Sequence, residues 1–191
     1  MAFLNFLNNS KYRPTVTVNN IFSNEEIEYI KNIALKNNDN FMKARVNEVN
    51  EKIRKSSVFW ITANFHTEWI FKKLADIIIS VNDEYYNFDI THFGDLQFTR
   101  YDDKEEFYTA HMDLEEDSVF TRKLSFTMQL SDSNDYEGGD LVLYPGGPEI
   151  IADRSKGAIT IFPSYVLHEV KPVTKGSRCS LVVWFRGNKL R

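Results

Sequence analysis

The order of patterns along this chain constrains its fold more than any single residue does: two helical stripes come first, and from residue 88 onward only short extended runs and turns follow. Ser23, with Glu26 three residues on, has the signature of a capping box. Ile27, Ile30, Ile33 and Ala34 then recur at helical spacing to an end near Asn37 and Asn38. A second helix is predicted from Thr67, with Ile70, Leu74, Ile77, Ile78 and Val81 on one stripe. Both stripes read as core faces that pack on a sheet. Residues 43–55 between them are polar and without period, a long loop or an edge strand, before 57–61 become extended. The later extended runs are 95–101, 123–130, 140–144, 157–163, a turn and strand over 165–172, and 178–185 after a Lys175-Gly176 turn. Helices followed by a run of short strands indicate an α+β chain built on an antiparallel sandwich or jelly roll.

Size and composition fit one unit. A chain of 191 residues with 42% hydrophobic content buries a substantial core, and no Gly/Ser/Pro-rich linker divides it. Its 15 Phe, 9 Tyr and 3 Trp favour a β-rich interior. A net charge of −4 argues against a nucleic-acid-binding surface. The single cysteine, Cys179, excludes an intramolecular disulfide, fits a reducing compartment and reads as a small core filler. No run approaches the roughly 18 apolar residues of a membrane span, and the N-terminal residues lack the positive charge of a secretory signal. The expectation is therefore a cytoplasmic protein with no membrane and no nucleic-acid partner; oligomeric state is not legible.

Within the strand-rich half lie His111-Met112-Asp113, then His168, then Arg178. Side chains alternate across a strand, so His111 and Asp113 share a face if the segment is extended. Two imidazoles and one carboxylate on one face of a first-row metal leave three positions open, the arrangement of non-haem Fe(II) oxygenases. Arg178 heads an apolar run, Cys179 to Phe185. A guanidinium there requires a buried anionic partner or a place at the rim, and its planar fork suits a carboxylate.

The stretch from Leu96 to Phe185 resembles the iron- and 2-oxoglutarate-dependent prolyl 4-hydroxylase family, especially its bacterial and viral branch. The matching pieces are Tyr101 ten residues before His111, His111-Met-Asp113, Leu130-Ser-Asp132, Tyr136-Glu-Gly-Gly-Asp-Leu141, residues 157–163, the run from His168 to Arg178, and Trp184. Upstream, Phe22-Ser-Asn-Glu-Glu resembles the family's opening helix and Ile53 to Trp60 its first core strand. The resemblance implies one catalytic domain over 1–191, with 20–86 as a helical support region and 87–187 as the core. That core would be a double-stranded β-helix, or jelly roll, with N-terminal helices packed on one sheet.

It also implies roles. His111, Asp113 and His168 would ligate Fe(II), and Arg178 would pair with the distal carboxylate of 2-oxoglutarate. Tyr101 would lend its hydroxyl to the same cosubstrate, or serve as a core aromatic. Ser180 would face the way Arg178 does. Trp184 matches a tryptophan near the substrate mouth, with packing as its other reading; Tyr108, Arg54 and Arg122 stand as substrate contacts or as plain rim residues. His66 and His92 lack a carboxylate at the right spacing and read as structural. Glu115-Glu116-Asp117 reads as a solvated loop.

The chemistry implied couples oxidative decarboxylation of 2-oxoglutarate, with dioxygen and with ascorbate in support, to hydroxylation of a C–H bond. Retention of Asp113 favours hydroxylation over halogenation. A related demethylase would carry a second Arg six residues after Arg178, where this chain has Trp184. A cupin-type metal-binding module would not need Arg178, and a purely structural domain would leave the four residues unexplained. The substrate expected is proline within a peptide or protein, with 43–55 as a segment folding over the site; a free amino acid or other small molecule is the alternative.

Overall fold

The computed structural model describes residues 12–44, 50–114 and 120–189. Its first half holds β1 (Val16–Val18), α1 (Asn24–Leu35), β2 (Met42–Lys43), β3 (Arg54–Lys55), β4 (Ser57–Ile61) and α2 (Glu68–Val81). The second half is all strand: β5 (His92–Phe93), β6 (Leu96–Asp102), β7 (Glu106–His111), β8 (Phe120–Gln129), β9 (Tyr136–Gly138) and β10 (Leu141–Tyr144) come first. Then follow β11 (Ile150–Ile151), β12 (Ile159–Pro163) and β13 (Leu167–Asn188). Among the described residues no helix is long and apolar enough to cross a membrane.

The first helix begins where its cap dictates, while Thr67 at the start of α2 makes no side-chain cap. The Ser23 hydroxyl accepts the Glu26 N–H at 3.2 Å while the Glu26 carboxylate accepts the Ser23 N–H at 2.8 Å, a complete capping box. Ile27, Ile30 and Ala34 of α1 are buried, as are Ile70, Leu74, Ile77, Ile78 and Val81 of α2. These stripes meet the apolar side of a large antiparallel sheet, ordered β1-β12-β8-β13-β6-β4-β2.

A smaller antiparallel sheet forms when the first half of β13 pairs with β10, β7 and β9, and β7 in turn pairs with β3. The two sheets therefore share a strand, giving the jelly roll. This corrects the expected Lys175-Gly176 turn. Gly176 sits inside β13 with φ +72°, where a Cβ would lie 2.0 Å from the Asp135 carbonyl oxygen. Only glycine fits there, and it lets one strand bend from the small sheet into the large one. Gly176 still pairs with Tyr136 of the small sheet, and Ser177 already pairs with Asp102 of the large one.

The extended run from Ile53 to Trp60 is likewise divided. Arg54 and Lys55 pair with Tyr108 and Phe107 in the small sheet, whereas Ser57–Ile61 pair along β6 in the large one. Of the aperiodic segment 43–55, the two ends are strands; residues 45–49 lie outside the described residues.

The large sheet has two buried faces of different chemistry. Phe98, Phe126, Met128, Cys179, Leu181, Val183 and Phe185 point to the helices and form the main core, where Cys179 is a filler as expected. Burial pushes its thiol pKa up. On the other face Gln97, Thr99, Tyr101, Thr127, Arg178 and Ser180 line a cavity that is partly open to solvent.

Candidate active site

The small sheet carries the first cluster. His111 ends β7, His168 is the second residue of β13, and the two are register partners. Asp113 lies just past β7, with its backbone N–H donating to the Ser164 carbonyl at 2.9 Å. One ligand atom from each of His111, Asp113 and His168 fits within a span of 4.8 Å. His111 Nε2 is 3.6 Å from Asp113 Oδ1, and His168 Nε2 is 3.5 Å from Asp113 Oδ2. Asp113 and His168 are buried and His111 is half-buried.

Hydrogen bonding fixes what these atoms offer. His111 Nδ1 is 2.7 Å from the Thr109 carbonyl oxygen and His168 Nδ1 is 2.9 Å from that of Val166. A carbonyl only accepts, so each Nδ1 carries the hydrogen and each Nε2 presents a lone pair inward. Two lone pairs and a carboxylate facing one point repel each other without a cation between them. Burial works against ionisation of Asp113, yet positive charge on the facing imidazoles, standing where a cation would sit, and the Ser125 hydroxyl outweigh it and hold its carboxyl well below the usual range. Burial also pushes His168 below its ordinary value, which keeps it neutral and able to ligate. The donor set fits Fe(II).

Deeper in the same cavity lies the second feature. Arg178 is 1% exposed, its Nε has no hydrogen-bond partner, and among the described residues no carboxylate pairs with it. Its neighbour across the ladder is Tyr101, whose ring centre is 5.6 Å from the guanidinium carbon. An unpaired buried cation costs several kcal/mol, roughly, and is tolerated where an anion completes it. Ser180 and Tyr101 line the cavity beside it, both buried. Arg178 is buried and so is no rim residue.

At the mouth, Tyr108 stacks on His111 with ring centres 3.4 Å apart, and the Arg54 guanidinium carbon stands 4.7 Å from the Tyr108 ring centre. Burial pushes the Tyr108 hydroxyl up to about 12, so it stays protonated. Trp184 sits 6.3 Å from Trp60 and 4.0 Å from the Arg122 guanidinium carbon. Arg54 and Tyr108 are thus brought to the cluster, and Arg54 is buried rather than a plain surface residue. His66 and His92 stand outside the cluster, both exposed. Glu115, Glu116 and Asp117 lie outside the described residues.

Sequence reasoning missed Thr99, Ser125, Thr127 and Gln129. The signal was present: Ser125-Phe-Thr127-Met-Gln129 alternates polar and apolar, and every one of these residues is buried. Alternation in a strand normally marks a wet face; here the polar side is buried on the cavity face of the sheet, where Thr127 lines the cavity, and Gln129 Oε1 has no partner.

Comparison with known proteins agrees with this geometry. Residues 96–186 match the 2OG-Fe(II) oxygenase superfamily. A PKHD-type hydroxylase of Idiomarina loihiensis is 40% identical over 79 residues, 41% of this chain and 36% of that protein. Another, of Crocosphaera subtropica, is 33% identical over 96 residues, covering 49% and 43%. The matches thus span about two fifths of the length of these curated relatives.

Among solved structures, a Pseudomonas putida prolyl-4-hydroxylase superposes with a TM-score of 0.76 at 21% identity, covering 92% of this chain and 94% of that one. The viral collagen prolyl hydroxylase of Paramecium Bursaria Chlorella virus-1 gives 0.71 at 20%, covering 93% and 98%. Just under half of the chain thus matches the 2OG-Fe(II) oxygenase superfamily, and the fold as a whole is of the prolyl 4-hydroxylase type.

Proposed function

We propose that this protein is an Fe(II)- and 2-oxoglutarate-dependent hydroxylase whose substrate is proline within a peptide or protein segment. One observation carries the reading: a cation site made of two Nε2 lone pairs and a carboxylate shares a cavity with a buried, unpaired guanidinium. The first suits a metal and the second an organic acid, and the cosubstrate of this superfamily needs both.

In this reading His111, Asp113 and His168 hold the metal and leave three positions open. Arg178 grips the distal carboxylate of 2-oxoglutarate, with Tyr101 and Ser180 as hydroxyl partners. Iron with 2-oxoglutarate and dioxygen supplies the oxidising power, through decarboxylation to succinate and carbon dioxide. The protein's own part is orientation and shielding. The carbonyls of Thr109 and Val166 set the imidazole planes, Phe162 packs edge-on against His168, and Leu141 and Val170 keep the cavity wall apolar. Residues 87–187 form the catalytic core in this reading, with 20–86 as its support.

The preference for a peptide rests on the mouth and on the neighbours. Tyr108 stacked on His111 and Trp184 on the cavity wall offer aromatic surface suited to a proline ring, and Trp60 extends it beyond the cavity for an extended chain. One structural neighbour, a Trichoplax adhaerens prolyl hydroxylase with a TM-score of 0.76, 20% identity and coverage of 90% and 83%, was solved with a hypoxia-inducible-factor peptide fragment. The test is turnover of 2-oxoglutarate to succinate by protein loaded with Fe(II) and ascorbate, across proline-containing peptides and free amino acids. A peptide product heavier by one oxygen, carrying 4-hydroxyproline, is the expected result. Turnover of free amino acids alone would overturn the peptide assignment while leaving the hydroxylase.

A further inference from the structure

Asp113 is held by more than its position in the chain. Ser125 Oγ lies 2.7 Å from Asp113 Oδ2, and Ser164 Oγ lies 3.0 Å from Ser125 Oγ. Both serines are wholly buried. A carboxylate only accepts, so Ser125 donates to Asp113, and its lone pairs are then free to accept the Ser164 hydroxyl hydrogen. The direction of the chain is fixed: Ser164 to Ser125 to Asp113.

The framework makes this chain rigid. Ser125 is in β8 and Ser164 follows β12, and these strands pair with Phe162 opposite Ser125 and Pro163 opposite Leu124. The Ser164 N–H donates to the Lys123 carbonyl at 3.0 Å, and its own carbonyl accepts the Asp113 N–H at 2.9 Å. Ser164 thus grips Asp113 twice, once through backbone and once through Ser125. Each carboxylate oxygen faces one imidazole, Oδ1 toward His111 Nε2 at 3.6 Å and Oδ2 toward His168 Nε2 at 3.5 Å, but only Oδ2 also receives a serine hydroxyl.

We propose that Ser125 and Ser164 are positioning residues that make Asp113 a one-oxygen ligand, by occupying Oδ2 with a hydrogen bond and leaving Oδ1 for the metal. The inference rests on the metal-site reading above. Its consequence is coordination number. A carboxylate that used both oxygens would take one of the three open positions that a bidentate keto acid and dioxygen together need. Outer partners of this kind typically govern metal affinity by about 10- to 100-fold.

The test compares the full-length wild type with Ser125→Ala, Ser125→Thr, Ser164→Ala and, as control, His111→Ala. Circular dichroism and thermal melting of the metal-free proteins come first, then Mn(II) titration and the visible absorption of the Co(II)-substituted forms. Ser125→Ala is expected to fold, to bind Mn(II) roughly 10-fold more weakly, and to give a fainter Co(II) band of higher coordination number. Ser125→Thr keeps the hydroxyl and should restore both readouts. Ser164→Ala should shift them in the same direction by less. If Ser125→Ala does not fold, Ser164→Ala decides.

Wild-type Mn(II) affinity and an unchanged Co(II) spectrum in the folded alanine variants would overturn the proposal while leaving the metal site intact. Mn(II) binding absent from wild type, or unaffected by His111→Ala, would overturn the metal reading and the proposal with it.

Discussion

The two faces of the large sheet are built from the same strands, and around the metal and Arg178 sites both are buried, yet they are chemically opposite. Along β8, Phe126 and Met128 turn to the helices while Ser125, Thr127 and Gln129 alternate to the opposite face, where Thr127 lines the cavity. Along β13, Cys179, Leu181, Val183 and Phe185 face the helices, and Arg178 and Ser180 the cavity. The helix side is satisfied within the protein, since apolar surface needs only neighbours. The cavity side is not: Arg178 Nε and Gln129 Oε1 lack partners, and the imidazole lone pairs face a carboxylate. Burial stabilises on one face and prepares for a ligand on the other.

The sharpest way to break this comparison is to remove the metal ligands. His111→Ala, Asp113→Ala and His168→Ala are each expected to abolish tight Fe(II) or Mn(II) binding and turnover while the chain still melts cooperatively. Calorimetric titration checks the metal and circular dichroism the fold. Undiminished affinity in two of the three would place the metal elsewhere.

On the opposite face the effect should fall on stability alone. Phe126 is fully buried and lies 6.5 Å from Phe185 in an edge-on contact. Phe126→Ala leaves a cavity in the main core and is expected to cost about 3–5 kcal/mol of unfolding free energy in denaturant titration. Metal affinity in the surviving folded fraction should match wild type. A variant that kept its stability but lost metal would merge the two faces into one function.

Arg178 tests the reverse sign. Arg178→Lys should retain metal but weaken 2-oxoglutarate binding, because a point charge cannot copy the bidentate fork. Arg178→Met should lose about 2 kcal/mol or more of 2-oxoglutarate affinity. The same change removes an uncompensated buried cation, so the metal-free variant is expected to melt at or above the wild-type temperature. A clear drop in melting temperature would show that Arg178 is structural.

Legibility in the sequence followed the same division. The helices were readable because capping chemistry and apolar period are local: Ser23, Glu26 and the α2 stripe needed no knowledge of the rest. His111, Asp113 and His168 were readable because a metal demands particular donors, though nothing in a sequence states that His111 and His168 are ladder partners. What stayed hidden depended on long-range placement. Gly176 reads as a turn residue, and only the approach of the Asp135 carbonyl turns it into a bend within one strand. Ser56 gives no sign that the chain changes sheets beside it. Ser125 and Ser164 are 39 residues apart and meet only because β8 and β12 pair.

The finest test uses adjacent residues of β13. Cys179 is 3% exposed in the main core and Ser180 is 1% exposed in the cavity wall, so burial alone does not distinguish them. Cys179→Ser exchanges a buried thiol beside Ser131 for a more strongly hydrated hydroxyl and is expected to cost about 1 kcal/mol of stability, with 2-oxoglutarate affinity unchanged. Ser180→Ala removes a hydroxyl from the cavity wall beside Arg178, the proposed site of the distal carboxylate, where a hydrogen bond contributes about 1 kcal/mol. Its expected outcome is a loss of roughly five-fold in 2-oxoglutarate affinity with little change in melting temperature. Chemical denaturation and cosubstrate titration on both variants form a crossed pair of measurements. If Ser180→Ala changed only stability, or Cys179→Ser changed only affinity, the boundary between packing face and binding face would not run between these two residues.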